Sequence, residues 1–117
     1  WGPNEEDKLP DWQRLFGDEV IWSPRTGSVQ QMAALLACAG GYAGPDSAPL
    51  HIAWLLKKPT FSWFGPSDPQ RCAPVGAGNA FIAAHAPTRQ REGDMLWCLQ
   101  PERVLADFLP WLDAVPC

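Results

Sequence analysis

A short hydrophobic segment between two turns constrains the fold of this chain more than any other feature. Thr60–Phe64 consists almost entirely of β-branched and aromatic residues, which is typical of a buried strand. Pro59 precedes it, and Gly65–Pro69 follows it with residues that form turns. The preceding segment, Ala48–Leu56, has the composition of a helix that Pro59 prevents from continuing. A helix that leads through a tight turn into a strand is the repeating unit of α/β proteins with a parallel sheet.

The same alternation continues on both sides of this unit. The predicted helices span residues 4–16, 28–39, 48–56 and 100–112, and the predicted strands span 19–23, 40–44, 60–64 and 80–85. Pro10 predicts that the first helix is irregular or restarts, and Ser28 is expected to cap the second. In the last helix, the residues expected to face the core are Val104, Leu105, Phe108 and Leu112. We therefore predict an α/β fold, a Rossmann-like parallel sheet with flanking helices, in one domain over residues 1–117.

Composition and charge exclude several classes of function. Hydrophobic residues make up 46% of the chain and charged residues 19%, which excludes a disordered chain. The net charge is −4, and the basic residues cluster no further than Lys57–Lys58 and the Arg89/Arg91 pair, so a nucleic-acid partner is not expected. No apolar run approaches the roughly 18 residues of a membrane span, and no signal peptide is recognisable. We expect a cytoplasmic protein.

The cysteines and tryptophans favour structural roles. The four cysteines are widely separated: Cys38, Cys72, Cys98 and Cys117. Zinc sites use ligands in closely spaced pairs, so we expect no metal site and mostly buried, reduced thiols. Trp22, Trp54 and Trp63 are expected in the core, with the alternative that one or more faces another domain.

The segment from Gly44 to His51 is the best candidate for a binding site. Ligands of open parallel sheets collect at the carboxyl ends of the strands, and the start of a helix offers free N–H groups to an anion. Asp46 is an acceptor suited to sugar hydroxyls, whereas the Ser47 hydroxyl and the His51 imidazole suit a phosphate. Pro49 has no N–H, so the candidate backbone donors are those of Ser47, Ala48, Leu50 and His51. These groups predict a diphosphate site with a sugar-binding carboxylate at its edge.

Each candidate residue also has a purely structural interpretation. Asp46 and Ser47 are residues that cap helices without any ligand. His51 lies near the buried side of a short helix, where a packed histidine is common. Asp68 stands between two prolines and is predicted to form a turn, and His85 is expected to end a strand without a functional partner.

Two linked motifs carry a resemblance to a known family. The first is Gly-Pro-Asp-Ser-Ala-Pro-Leu-His-Ile-Ala at residues 44–53; the second joins Lys-Pro-Thr at 58–60 to Phe-Gly-Pro-Ser-Asp-Pro at 64–69. They resemble the Asp-Ser/Thr-Gly-x-x-His, Lys-Pro-Thr and Phe-Gly-Pro-Thr-Asp-Pro signature of the ADP-heptose:lipopolysaccharide heptosyltransferases, glycosyltransferase family 9. Trp1-Gly2 with Glu5-Glu6 is similar to that family's Trp-Gly…Glu-Glu element.

The resemblance implies a fold and an activity. It implies the carboxyl-terminal, nucleotide-sugar-binding half of a GT-B glycosyltransferase, with the acceptor-binding amino-terminal domain and its catalytic base absent from this chain. The reaction implied is an inverting transfer of heptose from ADP-heptose to a lipopolysaccharide core acceptor, with no metal and no cofactor. The location implied is the cytoplasm, where the full-length protein would associate with the inner face of the inner membrane. This chain alone would then be inactive. The alternatives are a non-catalytic nucleotide-sugar-binding or regulatory module and a plain structural α/β domain.

The resemblance also implies roles for single residues. Asp46 would contact the heptose, and His51 would assist at the phosphate. The backbone of Ser47, Ala48 and Leu50 would hold the diphosphate. Glu5 or Glu6 would bind the ribose, and Thr26 and Gly27 would line the adenine pocket. Ala48 departs from the family, which has glycine there. An alanine would be strained if the position requires a positive φ, and harmless if it is the first residue of a helix.

Overall fold

The computed structural model describes residues 7–84 and 99–115, and the chain divides into two compact units, Trp1–Met32 and Ala33–Cys117. The helices are α1 (Leu9–Phe16), α2 (Val29–Cys38), α3 (Ala48–Leu55), α4 (Pro69–Cys72) and α5 (Pro101–Ala114). The strands are β1 (Tyr42–Pro45), β2 (Thr60–Phe64) and β3 (Asn79–Ala83). From α2 onward helices and strands alternate, which confirms the α/β class.

In the first unit, the opening helix is shorter than predicted. Asp7 and Lys8 form a turn, and α1 begins at Leu9 with Pro10 in its first turn, where the missing N–H of proline has no intrahelical partner to lose. The helix predicted from residue 4 thus begins at Leu9, and residues 4–6, where an earlier turn of it was expected, lie outside the described residues. Gly17 ends the helix with a φ of 55°, a conformation that favours glycine.

The strand predicted over residues 19–23 is wrong. Gly17–Glu19 form a single 3₁₀ turn, and residues 20–27 pair with no strand among those that the structure describes. The side chain of Ile21 is 98% exposed. A strand needs a neighbour to accept and donate its backbone hydrogen bonds, and the described residues of the first unit supply none.

Ser28 caps α2 as predicted. Its Oγ accepts a hydrogen bond from the backbone N–H of Gln31 at 3.2 Å, and the Gln31 side-chain oxygen accepts one from the N–H of Gly27 at 2.7 Å. The two bonds form a variant of the capping box, which satisfies orphan donors on both sides of the helix start. Cys38, at the end of the helix, is exposed rather than buried as expected, and both Cys38 and the half-buried Cys72 are free thiols.

The second unit is built on a parallel sheet of order β1-β2-β3. Tyr42 pairs with Thr60 at the start of β1, and Thr60 pairs with Asn79 at the start of β3. The central strand β2 is buried at every position except Trp63, which is half-buried. Since the strands run in one direction, their carboxyl ends form one edge of the sheet and their amino ends form the other.

The sheet is covered on both faces. One face is covered by α5: Phe61, Ile82 and Leu99 form the buried core, and Phe108 packs edge-on against Phe61 with ring centroids 5.4 Å apart. The residues of α5 that pack here are Val104, Phe108 and Trp111. The prediction for Leu105 and Leu112 is wrong, because both lie outside this i, i+4, i+7 stripe and are about half exposed (50% and 48%).

The opposite face carries α3. Side chains alternate along a strand, so Thr60, Ser62 and Phe64 point away from α5, and α3 contacts both β1 and β2. Leu50 and Ala53 of α3 are fully buried. The expectation that Trp54 lies in the core is wrong: its ring is exposed, and its Nε1–H donates to the backbone oxygen of Val75 at 3.0 Å. Trp63 packs on the core as expected, and Trp22 lies half-buried near Phe16 in the first unit.

A dense hydrogen-bond network lies at the amino edge of the sheet. The Asn79 side-chain oxygen accepts from both the N–H and the hydroxyl of Thr60, at 3.2 and 2.9 Å. The Asn79 amide nitrogen donates to the backbone oxygens of Val75 (3.0 Å) and Gly76 (3.4 Å). The Trp111 Nε1–H donates to the oxygen of Gly78 at 2.9 Å. This network ties the loop before β3 to the start of β2 and to α5.

The end of α3 lies at the same edge and has an unusual residue. The N–H of Lys57 donates to the oxygen of Trp54, and the N–H of Lys58 donates to that of Ala53, which is the pattern of a Schellman motif. Lys57 occupies the left-handed position, with a φ of 57°, where glycine is usual. A pocket of about 190 Å³ lies beside it, lined partly by Trp54 and Gly76.

Within residues 7–84 and 99–115, no helix combines the length and the apolar character that crossing a membrane requires.

Candidate functional site

The predicted site lies at the carboxyl edge of the sheet. Asp46 and Ser47 follow the end of β1 directly, and Ala48 begins α3. Pro45 and Trp63 are register partners, so the turn after β1 and the turn after β2, Gly65–Asp68, leave the sheet side by side. The chain thus brings the turn of the first motif and the turn that ends the second to one edge, as the alternation of strands and helices predicts.

Asp46 and His51 form a pair at this edge. The Nε2 atom of His51 lies 3.0 Å from Oδ1 of Asp46, and the two side chains are 42% and 21% exposed, respectively. An ionised carboxylate only accepts hydrogen bonds, so Nε2 carries the hydrogen. In the neutral ring, Nδ1 then has no hydrogen to give to a phosphate. His51 therefore orients the carboxylate in this arrangement, and donation to a phosphate requires the imidazolium or a turn of the ring.

The backbone donors at the start of α3 are fewer than expected. The N–H of Leu50 donates to the oxygen of Ser47 at 3.1 Å, and the N–H of His51 donates to the same oxygen at 3.4 Å. The N–H of Leu50 is thus engaged within the first turn of α3, and its expected contact with a diphosphate stays a prediction. Pro49 contributes none, so the donors left for an anion are those of Ser47 and Ala48.

Ala48 is the first residue of a regular helix. Among the described non-glycine residues, positive φ occurs at Lys57 alone. The interpretation in which alanine is harmless is therefore confirmed, and replacing the family's glycine by Ala48 introduces no backbone strain here.

The Ser47 hydroxyl does not cap α3. Ser47 occupies the N-cap position with an extended backbone, yet its side chain makes no capping hydrogen bond. Its Oγ donates instead to the oxygen of Pro45 at 3.1 Å and lies 3.4 Å from the Tyr42 hydroxyl. The simple structural interpretation of Ser47 as a cap is wrong for its side chain.

Asp68, in the second turn, has a capping role. Its Oδ1 accepts from the N–H of Gln70 at 3.0 Å and starts the one-turn helix α4, where the sequence indicated only a loop. This agrees with the structural interpretation of Asp68, since Asp at an N-cap is common.

Several predicted residues belong to the first unit or lie outside the described residues. Thr26, half-buried, and Gly27, exposed, belong to the segment before α2, and the N–H of Gly27 is engaged by Gln31. Glu5, Glu6 and His85 lie outside the described residues, as do Cys98, Cys117 and the Arg89/Arg91 pair.

The family model of glycosyltransferase family 9 (heptosyltransferase) matches residues 10–96, most of the chain, including both motifs. The chain belongs to glycosyltransferase family 9. No curated protein and no solved structure matches it. Membership in the family makes this a glycosyltransferase chain whose sheet belongs to a GT-B fold. It also implies a nucleotide-sugar donor and a glycan acceptor in general terms.

Within residues 7–84 and 99–115, no three histidine, cysteine or acidic side chains converge where they could hold a metal ion. The expectation that the family 9 reaction in this protein needs no metal and no cofactor stays a prediction.

Two structurally important residues near the sheet edges were not predicted from the sequence. Tyr42 brings its hydroxyl to Ser47, and Asn79 organises the amino edge. A signal existed for Tyr42, because strand alternation places it on the same face as Gly44, just before the family 9 motif. Asn79 had none, since the residues that it joins are distant in sequence.

Proposed function

We propose that this chain is the donor-binding part of an inverting glycosyltransferase that transfers heptose from ADP-heptose to a lipopolysaccharide core acceptor. The observation that carries the proposal is the placement of the Asp46–His51 pair beside the uncapped start of α3, within a family 9 motif. A carboxylate next to two free N–H groups suits a sugar diphosphate, whose hydroxyls donate and whose phosphates accept.

In the proposed complex, the N–H groups of Ser47 and Ala48 hold the diphosphate at the positive end of α3. Asp46 accepts hydrogen bonds from the sugar, and His51 keeps its carboxylate oriented. The acceptor hydroxyl oxygen attacks the anomeric carbon as the bond from that carbon to the diphosphate oxygen breaks, and its proton passes to a base. ADP leaves with the electron pair, and the N–H groups of α3 stabilise the charge that develops on it.

The base and the acceptor site are proposed, from the family resemblance, in the other half of the GT-B fold. Glu5 or Glu6 at the ribose, Thr26 and Gly27 at the adenine, independence from metal, and the cytoplasmic location stay predictions. The alternative of a non-catalytic module rested in part on Ala48, and the regular start of α3 removes that support. We expect no transfer by this chain alone, which incubation with ADP-heptose and a truncated lipopolysaccharide would check.

Calorimetry with ADP and ADP-heptose tests the donor site. We expect both to bind, and we expect Asp46→Ala to weaken ADP-heptose about 10- to 100-fold, the scale of a charge-assisted hydrogen bond. ADP should lose much less affinity, since it lacks the sugar. His51→Ala should also weaken the binding of ADP-heptose, but by less than Asp46→Ala.

Asp107→Ala is the matched control, because it removes the same charge from the exposed side of α5 and should leave both affinities unchanged. Flat heats with both ligands, or an equal effect of Asp107→Ala, would contradict the proposed function.

A further inference from the structure

The first observation is the pocket at the amino edge of the sheet, where α3 ends. It has a volume of about 190 Å³ and is lined in part by Trp54, Lys57, Lys58 and Val75. All four residues belong to the second unit. Pockets for drug-sized ligands have volumes of roughly 300–1,000 Å³, so this smaller pocket suits a ligand of about one sugar ring.

Part of the pocket lining is apolar and held in place. The Nε1–H of Trp54 donates to the backbone oxygen of Val75 at 3.0 Å. Because this bond uses the only hydrogen that the indole can donate, Trp54 offers a ligand its carbon atoms alone. The Val75 side chain, which lines the same pocket, is 72% exposed. This part of the lining suits a ligand with an apolar face.

Another part of the lining is cationic. The side chain of Lys57 is exposed and that of Lys58 is half-buried. Within residues 7–84 and 99–115, no acidic side chain forms an ion pair with either ammonium group. The net charge of the chain is −4, so two adjacent lysines without acidic partners form a local exception to it. Ammonium groups bind phosphates and carboxylates as point charges.

Lys57 keeps its charge beside the pocket at the expense of its backbone. Its φ of 57° lies in the left-handed region, where glycine would form the same Schellman hydrogen bonds without strain. Lys58 has no positive φ and already supplies a positive charge at the negative end of α3. Strained backbone clusters at ligand sites. The side chain of Lys57 is therefore better explained by the pocket than by the end of the helix.

We propose that this pocket is an accessory site for an anionic monosaccharide unit. Its sugar ring packs on Trp54, and its phosphate or carboxylate lies between the ammonium groups of Lys57 and Lys58. A bare anion would gain nothing from the apolar lining, whereas the C–H face of a sugar ring packs well on indole carbons, and family 9 enzymes transfer sugars. The site lies at the opposite edge of the sheet from the proposed donor site, so both can be occupied together.

Nuclear magnetic resonance of the isotope-labelled protein tests the site, with glucose 6-phosphate, glucuronate, glucose and inorganic phosphate as probes. We expect saturable shifts of the Trp54 indole N–H and the Lys57 amide with at least one of the two acidic sugars. Glucose and inorganic phosphate should bind at least about tenfold more weakly, because each engages only one part of the lining. Binding of either acidic sugar supports the proposal, and their relative affinities show whether phosphate or carboxylate is preferred. Added salt should weaken the binding, since the lysines are open to solvent.

Variants separate the two parts of the lining. Lys57→Gln/Lys58→Gln should weaken the better acidic sugar about tenfold or more, the scale of a charge-assisted hydrogen bond. Lys8→Gln/Arg71→Gln is the matched control, because it removes the same charge from residues that do not line the pocket, and it should bind like the wild type. Trp54→Ala should weaken the acidic sugar and leave inorganic phosphate unchanged. The lysine variants test the proposal by themselves if Trp54→Ala folds poorly.

ADP distinguishes this site from the donor site. With ADP at saturation, the shift of the Trp54 indole on adding the acidic sugar should persist. Displacement by ADP, the absence of any shift at Trp54, or equal binding of the acidic sugars and inorganic phosphate would overturn the accessory site. An equal loss of affinity in the lysine double variant and its control would do the same. If the protein binds no ADP, the proposed function fails, whereas the accessory site is still tested by the sugars and the pocket variants.

Discussion

The two edges of the parallel sheet differ in how their polar groups are used. At the amino edge, Asn79 engages Thr60, Val75 and Gly76 with both ends of its amide, and protein atoms take up this hydrogen-bonding capacity. At the carboxyl edge, the N-cap side chain of α3 is turned away from the helix. The polar side chain of Asn79 is fully engaged by protein atoms at one edge, whereas the N–H groups of Ser47 and Ala48 are left without a capping side chain at the other.

The difference indicates that the two edges contribute to different properties, one to stability and the other to donor binding. A polar network with all partners in place stabilises the fold, whereas the N–H groups of Ser47 and Ala48 at the start of α3 have no partner among residues 7–84 and 99–115 and contribute nothing to it. Sites that bind ligands commonly retain such unfavourable features. Substitutions at the amino edge should therefore change stability, and substitutions at the carboxyl edge should change donor binding.

The largest expected effect is that of Asn79→Ala at the amino edge. Thr60 is fully buried, and this change leaves both its N–H and its hydroxyl without the Asn79 oxygen. We expect the free energy of unfolding to fall by about 2–4 kcal/mol, because buried donors without partners are costly. Urea unfolding followed by circular dichroism measures it, and ADP affinity should not change under conditions where the variant is folded.

Asn79→Asp is the matched control. Its carboxylate still accepts from Thr60 but donates nothing to Val75 or Gly76, so its loss should lie between those of the wild type and Asn79→Ala. If Asn79→Ala unfolds with the wild-type midpoint, or loses ADP affinity while folded, the division of roles between the edges is wrong.

The success of the predictions made from the sequence also differs from one part of the molecule to another. The strand Thr60–Phe64 and the helix from Ala48 are correct because local propensity, turn residues and burial all agree there. Asp46 and His51 were both predicted in the segment around the start of α3, but as separate contacts to a sugar and to a phosphate; their hydrogen bond to each other was not predicted. Local rules were sufficient to place these residues, whose neighbours are close in sequence.

The rest depended on partners distant in sequence. A strand over 19–23 needs a neighbour that no local pattern can specify. The orientation of α5 on the sheet packs Trp111 rather than Leu112 against the core, whereas helical periodicity alone is compatible with either residue. Asn79 is 19 residues from Thr60, and no rule of spacing joins them.

A smaller change should strengthen the amino edge. Lys57 holds a φ of 57° in the Schellman motif, a conformation that costs a residue with a side chain about 1 kcal/mol relative to glycine. Lys57→Gly should therefore raise the free energy of unfolding by about 1 kcal/mol. Urea unfolding checks this, with Lys57→Ala as the control, since alanine removes the charge and retains the strain. An equal gain in both variants would assign the effect to the charge instead.

The smallest expected change in stability belongs to His51 at the carboxyl edge. The pair with Asp46 is partly open to solvent, at 42% and 21% exposure, so its contribution should stay below about 1 kcal/mol. Alanine is also a better helix former than histidine by a few tenths of a kcal/mol, which offsets part of the loss within α3. His51→Ala should thus unfold within about 0.5 kcal/mol of the wild type while its affinity for ADP-heptose falls. Paired urea and calorimetry measurements on this variant and on Asn79→Ala compare the edges directly. A loss of stability at His51 as large as that at Asn79 would show that Asp46 and His51 support the fold rather than a donor.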